Sequence, residues 1–183
     1  MADLLNANDF SKFKDKKIFF DTNIWMYIFC EIANSQEYFV NKYSTIFNNL
    51  LKSKTLIFVD FAVISEFVNS YLRISFNNYN RENKLKNQDY KRDYRKTDDF
   101  REAWENVCNI VNNKILSIAK TINFEYNKIS IKGLLNSKNL ETDFNDNHIV
   151  NLCKTNNIYL LTNDGDFKDA DINIITANSF FWK

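Results

Sequence analysis

The feature that most constrains this chain is a set of short, unbroken apolar runs separated by stretches of helical periodicity. "KIFF" at 17 to 20, "TLIFV" at 55 to 59, "IYLLT" at 158 to 162 and "INIITA" at 172 to 177 lack the alternation of a strand with one wet face. Runs of that length and uniformity read as strands buried on both faces. "TINFEY", 121 to 126, is a further candidate strand. From Asn34 to Lys52, Tyr38, Phe39, Tyr43, Ile46, Phe47, Leu50 and Leu51 recur at three- and four-residue intervals, the pattern of an amphipathic helix. Asp60 stands in an N-cap position before a helix whose apolar face carries Phe61, Ile64, Phe67, Val68, Tyr71 and Leu72. A long helix is expected from about Asp99 to Ala119, opened by the box-like pair Asp99 and Glu102. A short helix is expected from Ser130 to Leu135, and another, capped by Asp143 or Asn145, running through Cys153. Buried strands alternating with helices predict an α/β fold: a central, mostly parallel sheet with helices on both faces.

Turn boundaries are read from Asn and Asp, because the chain has no proline and only two glycines, Gly133 and Gly165. The 183 residues are expected to form one domain spanning 1 to 183, with no repeat or linker. A formal charge of +1 makes no overall case for a polyanionic partner, so any such case has to come from local clustering. Cys30, Cys108 and Cys153 are odd in number, scattered and free of C-x-x-C spacing, which argues against a disulfide framework or a zinc site. The polar N-terminus has no apolar core of a signal peptide, and no run reaches membrane-spanning length. A soluble, cytoplasmic protein with no membrane partner is the expectation.

Asp21 interrupts this pattern. It follows "KIFF" and precedes another largely apolar run, "IWMYIF", so it sits where a lone carboxylate costs several kcal/mol unless something neutralises it. In parallel sheets, sites lie beyond the carboxyl ends of the strands. Asp21 falls there, and so does Asp164, two residues after "IYLLT". Glu66 flanks the buried stripe of the helix after the second strand, and Asp146 opens a later helix with Asp143 three residues before it. Each acid has a bland reading by itself: Asp143 and Asp146 as caps, Glu66 as a solvated face residue, and "NDGD" at 163 to 166 as a turn. Together they put carboxylates at two strand ends and two helix beginnings of one sheet. Carboxylates gathered in one crevice repel each other unless a cation is shared. Oxygen-only donors suit Mg²⁺ or Mn²⁺, and the chemistry such ions support is hydrolysis of a phosphodiester. The single histidine, His148, lies two positions beyond Asp146 and is read as structural or surface rather than catalytic.

The ordered blocks "FFDTNIWMYIF", "VISEFVNSYL", "DFNDNHIVNLC" and "LLTNDGDF" resemble PIN-domain nucleases, in particular the VapC-type toxin ribonucleases of toxin–antitoxin pairs. The resemblance spans Lys17 to Phe167. It implies a PIN-like three-layer fold and a divalent-metal-dependent endoribonuclease. It also implies catalytic, metal-binding acids at Asp21, Glu66, Asp146 and Asp164. Asp143 and Asp166 would supplement them as further ligands or hydrogen-bond partners, while Thr22, Asn23 and Thr162 would orient ligands or water. An RNA substrate, an antitoxin partner covering the crevice and a homodimer follow from the same resemblance.

The chain departs from the usual toxin in size, through a polar insertion at about 77 to 97. There Lys84, Lys86, Lys91, Arg92, Arg95 and Lys96 outnumber the acids, and Tyr90 and Tyr94 interleave with them at helical spacing. Two readings stand side by side: an RNA-gripping element with cations on phosphates and tyrosines stacked on bases, or a solvated insertion. A haloacid-dehalogenase-type phosphotransferase would need a second carboxylate at position 23, where this chain has Asn23. A non-catalytic PIN-like module binding RNA or protein remains the alternative from another functional class.

Overall fold

The computed structural model describes residues 2–33, 36–122 and 143–183. Its framework is a six-stranded sheet in the order β1-β6-β5-β2-β3-β4, with every neighbouring pair parallel. The strands are β1 (Leu4–Asn6), β2 (Ile18–Phe20), β3 (Ile57–Val59), β4 (Ala119–Thr121), β5 (Tyr159–Leu161) and β6 (Ile174–Thr176). Every residue of β2, β5 and β6 is buried, which requires cover on both faces and explains why these strands read as unbroken apolar runs. Register places Phe19 between Leu160 on β5 and Phe58 on β3.

From β2 the chain proceeds outward to β3 and β4. β5 then enters on the opposite side of β2, followed by β6 and β1. Strand order therefore reverses between β2 and β5, and their carboxyl ends flank the crevice where such sheets bind ligands. Three-residue strands leave Asp21 and Thr162 immediately beyond these two ends.

The helices are α1 (Thr22–Phe29), α2 (Glu37–Lys52), α3 (Phe61–Glu82), α4 (Asp98–Ile110), α5 (Leu116–Ile118) and α6 (Phe144–Asn156), with a π-helical stretch, Val111–Ile115, joining α4 to α5. α3 packs on α4, and α1 packs on both α2 and α3. The aromatic core beneath α1 joins Phe20 to Trp25 at 4.8 Å between ring centroids, and Trp25 to Phe29 at 6.0 Å. Among the described residues no helix is long and apolar enough to cross a membrane.

The structure departs from the sequence reading at several points. β1 and α1 had no sequence signal strong enough to assign: β1 is three residues long with only a partly covered middle, and α1 is almost wholly apolar, so no amphipathic stripe marks it. The helix after β3 continues to Glu82, well into the stretch read as polar insertion, because Ser75, Phe76 and Tyr79 are anchored by Tyr94 folding back on them. α4 begins one residue before Asp99 and is capped by Thr97, whose hydroxyl accepts from the Phe100 amide at 3.1 Å. The helix expected to end at Ala119 gives way there to β4. Most of the 121–126 strand and all of the 130–135 helix lie outside the described residues.

Candidate active site

Asp21 is held in the crevice by three hydrogen bonds. It caps α1 and is only 6 % exposed. Its Oδ1 accepts from the Thr22 amide at 2.6 Å, and its Oδ2 accepts from the Thr162 hydroxyl and from Asn23 Nδ2, each at 2.6 Å. Three donors thus occupy three of about four lone-pair sites on the carboxylate, leaving Oδ1 capacity for one more partner. Thr162, at the end of β5, also accepts from the Asp164 amide at 2.9 Å, so one buried hydroxyl ties the acid after β2 to the loop after β5. That loop is fastened further: the Asn163 amide donates to Asn23 Oδ1 at 3.2 Å, and the Tyr43 hydroxyl donates to Asn163 Oδ1 at 3.0 Å.

Across the crevice, Thr22 donates its hydroxyl to Glu66 Oε2 at 3.0 Å, linking α1 to α3. Asp143 and Asp146 form a reciprocal capping box at the start of α6: Asp143 Oδ1 accepts from the Asp146 amide and Asp146 Oδ2 from the Asp143 amide, both at 2.9 Å. The capping reading of these two acids therefore holds, and each keeps a second oxygen uncommitted to the box. Asp164 caps the turn Gly165–Phe167, accepting from the Asp166 amide at 3.1 Å. Asp21, Thr22, Asn23, Glu66, Asp143, Asp146, Asp164 and Asp166 all line one open cleft of about 960 Å³.

The electrostatics are those of an acidic crevice. Burial pushes the Asp21 carboxyl up to about 7, with the charges of Asp164 and Glu66 adding to the rise against the lowering effect of its hydrogen bonds. Glu66 is raised by desolvation, then by Asp143 and Asp164. Asp146 is raised by desolvation, then by Asp143, Asp164 and Asp166. These acids feel one another, which is the condition a shared cation relieves. The donor set is oxygen-only and fits a hard divalent ion. Among the described residues, however, no group of three or more His, Cys, Asp or Glu side chains is arranged to hold a metal ion. Glu66 and Asp164 are exposed on the open cleft.

Of the two readings of His148, structural or surface, its burial and its contact favour the structural one. It is 9 % exposed, and its Nε2 hydrogen-bonds Asp60 Oδ2, joining α6 to the end of β3. Asp60 in turn accepts from the Val63 amide at 2.9 Å as the cap of α3. This pairing spans 88 residues and had no sequence signal.

The basic segment is corrected in part. Lys84, Lys86, Lys91, Arg92, Arg95 and Lys96 are exposed, and none of them lines the cleft. Arg92 pairs with Asp89 at 3.7 Å. Tyr94, expected to offer a stacking face, is fully buried: its hydroxyl bonds Ser75 at 2.7 Å and its ring packs on Phe76, Tyr79 and Phe100. No base reaches it. Tyr90 is partly exposed. The cleft also recruits residues that the sequence reading missed, among them Tyr27, Phe61, Asn69, Ser70 and Arg73. Phe61, read as part of the apolar face of α3, is 84 % exposed at the cleft wall. Arg73 carried one usable signal, its seven-residue spacing from Glu66.

A family model described as "PIN domain" matches residues 18–173. No curated protein matches the chain at a significant level.

Proposed function

The chain belongs to the PIN domain family, a nuclease fold family, and from that premise we propose that it is a divalent-metal-dependent endoribonuclease hydrolysing RNA phosphodiester bonds. One observation carries the reading: acids from four separate parts of the chain, Asp21, Glu66, Asp146 and Asp164, line a single cleft at the point where strand order reverses. Those four would hold Mg²⁺ or Mn²⁺, with Asp143 and Asp166 as supplements. A bound ion there supplies polarisation of the phosphodiester, a lowered pKa for water and stabilisation of the leaving oxygen.

The chain's own groups prepare that chemistry. Thr22, Asn23 and Thr162 hold the Asp21 carboxylate in one orientation, as supporting hydrogen bonds do around metal ligands. Thr22 does the same for one oxygen of Glu66. Phe61, exposed at the cleft wall, offers a ring on which an unstacked base can rest. The VapC-type reading adds a cytoplasmic setting, an antitoxin that covers the acidic cleft, and a homodimer.

The rival is a non-catalytic module that binds RNA or protein, and the capping duties of Asp143, Asp146 and Asp164 favour it. Cleavage of a mixed RNA substrate separates the two. With Mn²⁺ or Mg²⁺ the wild-type protein is expected to cut, with EDTA it is not, and Asp21→Asn or Asp164→Asn abolishes cutting while the protein stays folded. Intact RNA in the presence of wild-type protein and Mn²⁺ overturns the nuclease reading.

A further inference from the structure

The cleft has a cationic end that the acidic constellation does not use. Glu66, Asn69, Ser70 and Arg73 all line it and follow one another at three, four and seven residues, the spacing of one helix face. At 1.5 Å per residue Arg73 lies about 10 Å along α3 from Glu66. The stripe thus runs from an acid, through two uncharged hydrogen-bonding side chains, to a guanidinium.

That guanidinium is held in place by an aromatic ring rather than by a described carboxylate. It lies over the Tyr90 ring, 4.6 Å from its centroid. Tyr90 is itself positioned, edge-on to Phe76 at 5.5 Å and tilted against the buried Tyr94 at 5.9 Å. A second guanidinium, Arg95, lies 5.2 Å from the same ring centroid. Among the described residues no carboxylate pairs with Arg73 or Arg95. Of the two, Arg73 is the one that lines the cleft, and stacking on an aromatic face pre-orders its fork for an anion in a way that lysine cannot copy. A substrate phosphate entering this cleft is repelled by any carboxylate left ionised. At about 10 Å from Glu66 the Arg73 charge is largely screened from the acids at physiological salt, so it acts on a phosphate that reaches it rather than on the one at the acids.

We propose that Arg73, braced by Tyr90, is a phosphate-binding residue of the cleft, taking a backbone phosphate of a nucleic-acid strand other than the one at the acids. Asn69 and Ser70 face the strand between the two positions. This rests on the nuclease reading for the occupant of the acidic end, but its test does not depend on cleavage. A fluorescently labelled single-stranded oligoribonucleotide is titrated with protein in EDTA across a salt series, and anisotropy gives the affinity. Arg73→Gln is expected to weaken binding for any sequence and to reduce the slope of log K against log salt by about 0.7, the loss of one phosphate contact. Arg73→Lys is expected to keep the slope while binding more weakly than wild type. A circular-dichroism melt matching wild type shows that either variant is folded. An unchanged affinity and slope in Arg73→Gln, or no binding by the wild-type protein, overturns the subsite whatever the cleavage assay gives. Arg73-dependent binding without Mn²⁺-dependent cleavage sinks the nuclease reading and leaves the phosphate contact in place.

Discussion

Replacing Asp21 with asparagine removes the most heavily buried acid of the cleft, and the structure sets what that does to stability. The carboxyl is raised from an ordinary 3.8 to about 7, chiefly by burial. The folded protein therefore holds this proton more tightly than the unfolded chain does. Stability is lost as pH rises between those two values, because ionisation is easier once the chain unfolds. Worked through, Asp21 costs the metal-free protein about 2 kcal/mol at pH 5 and about 4 kcal/mol at pH 8, relative to its fully protonated form. The asparagine avoids that cost but meets three donors, from Thr22, Asn23 and Thr162, with a single oxygen. At least one donor then faces an amide NH₂, a loss of about 1–3 kcal/mol. The two effects nearly cancel at pH 5 and leave the variant about 1–3 kcal/mol more stable at pH 8. Urea unfolding of both proteins in EDTA, at pH 5 and pH 8, measures the difference directly. A variant less stable than wild type at pH 8, or a gap between the two proteins that does not widen with pH, would refute the reasoning.

Two other outcomes follow from single contacts. Phe61→Ala should leave the urea midpoint nearly unchanged, since the ring is 84 % exposed. It should weaken binding of single-stranded RNA about 10-fold, in line with the loss of one stacked base; equal binding by anisotropy would remove Phe61 from the substrate path. His148→Ala strands the buried Asp60 carboxylate, which keeps only the Val63 amide as a described hydrogen-bond donor. Breaking a buried pair in this way should destabilise by about 3 kcal/mol on urea unfolding, and a change within experimental error would show that the pair contributes nothing.

The sequence by itself determined what is local. Four of the six strands were legible because a strand buried on both faces reads as an unbroken apolar run: β2, β3 and β5 are apolar throughout, and β6 at Ile174 and Ile175. The acids at their ends were legible for the complementary reason, that a carboxylate directly after such a run has few innocent explanations. β1, with one partly covered residue, and α1, with no polar face, lack any such contrast. The start of α4 was off by a residue because Thr97, Asp98 and Asp99 are all favoured cap residues, and local pattern does not rank them.

Tertiary structure decided what depends on strand order and on which faces meet. Only the placement of β5 beside β2 brings Thr162 within reach of Asp21, 141 residues away. Only the packing of α6 near the end of β3 pairs His148 with Asp60. The periodicity that put Phe61 in the core and Tyr94 on the surface was sound as periodicity. It failed because Phe61 stands at the first turn of α3, beyond the cover of the core, while Tyr94 folds back into the aromatic cluster of Phe76, Tyr79 and Phe100. Local pattern ranks residues by hydrophobicity and phase; it holds no record of what lies opposite, and in this molecule what lies opposite makes the site.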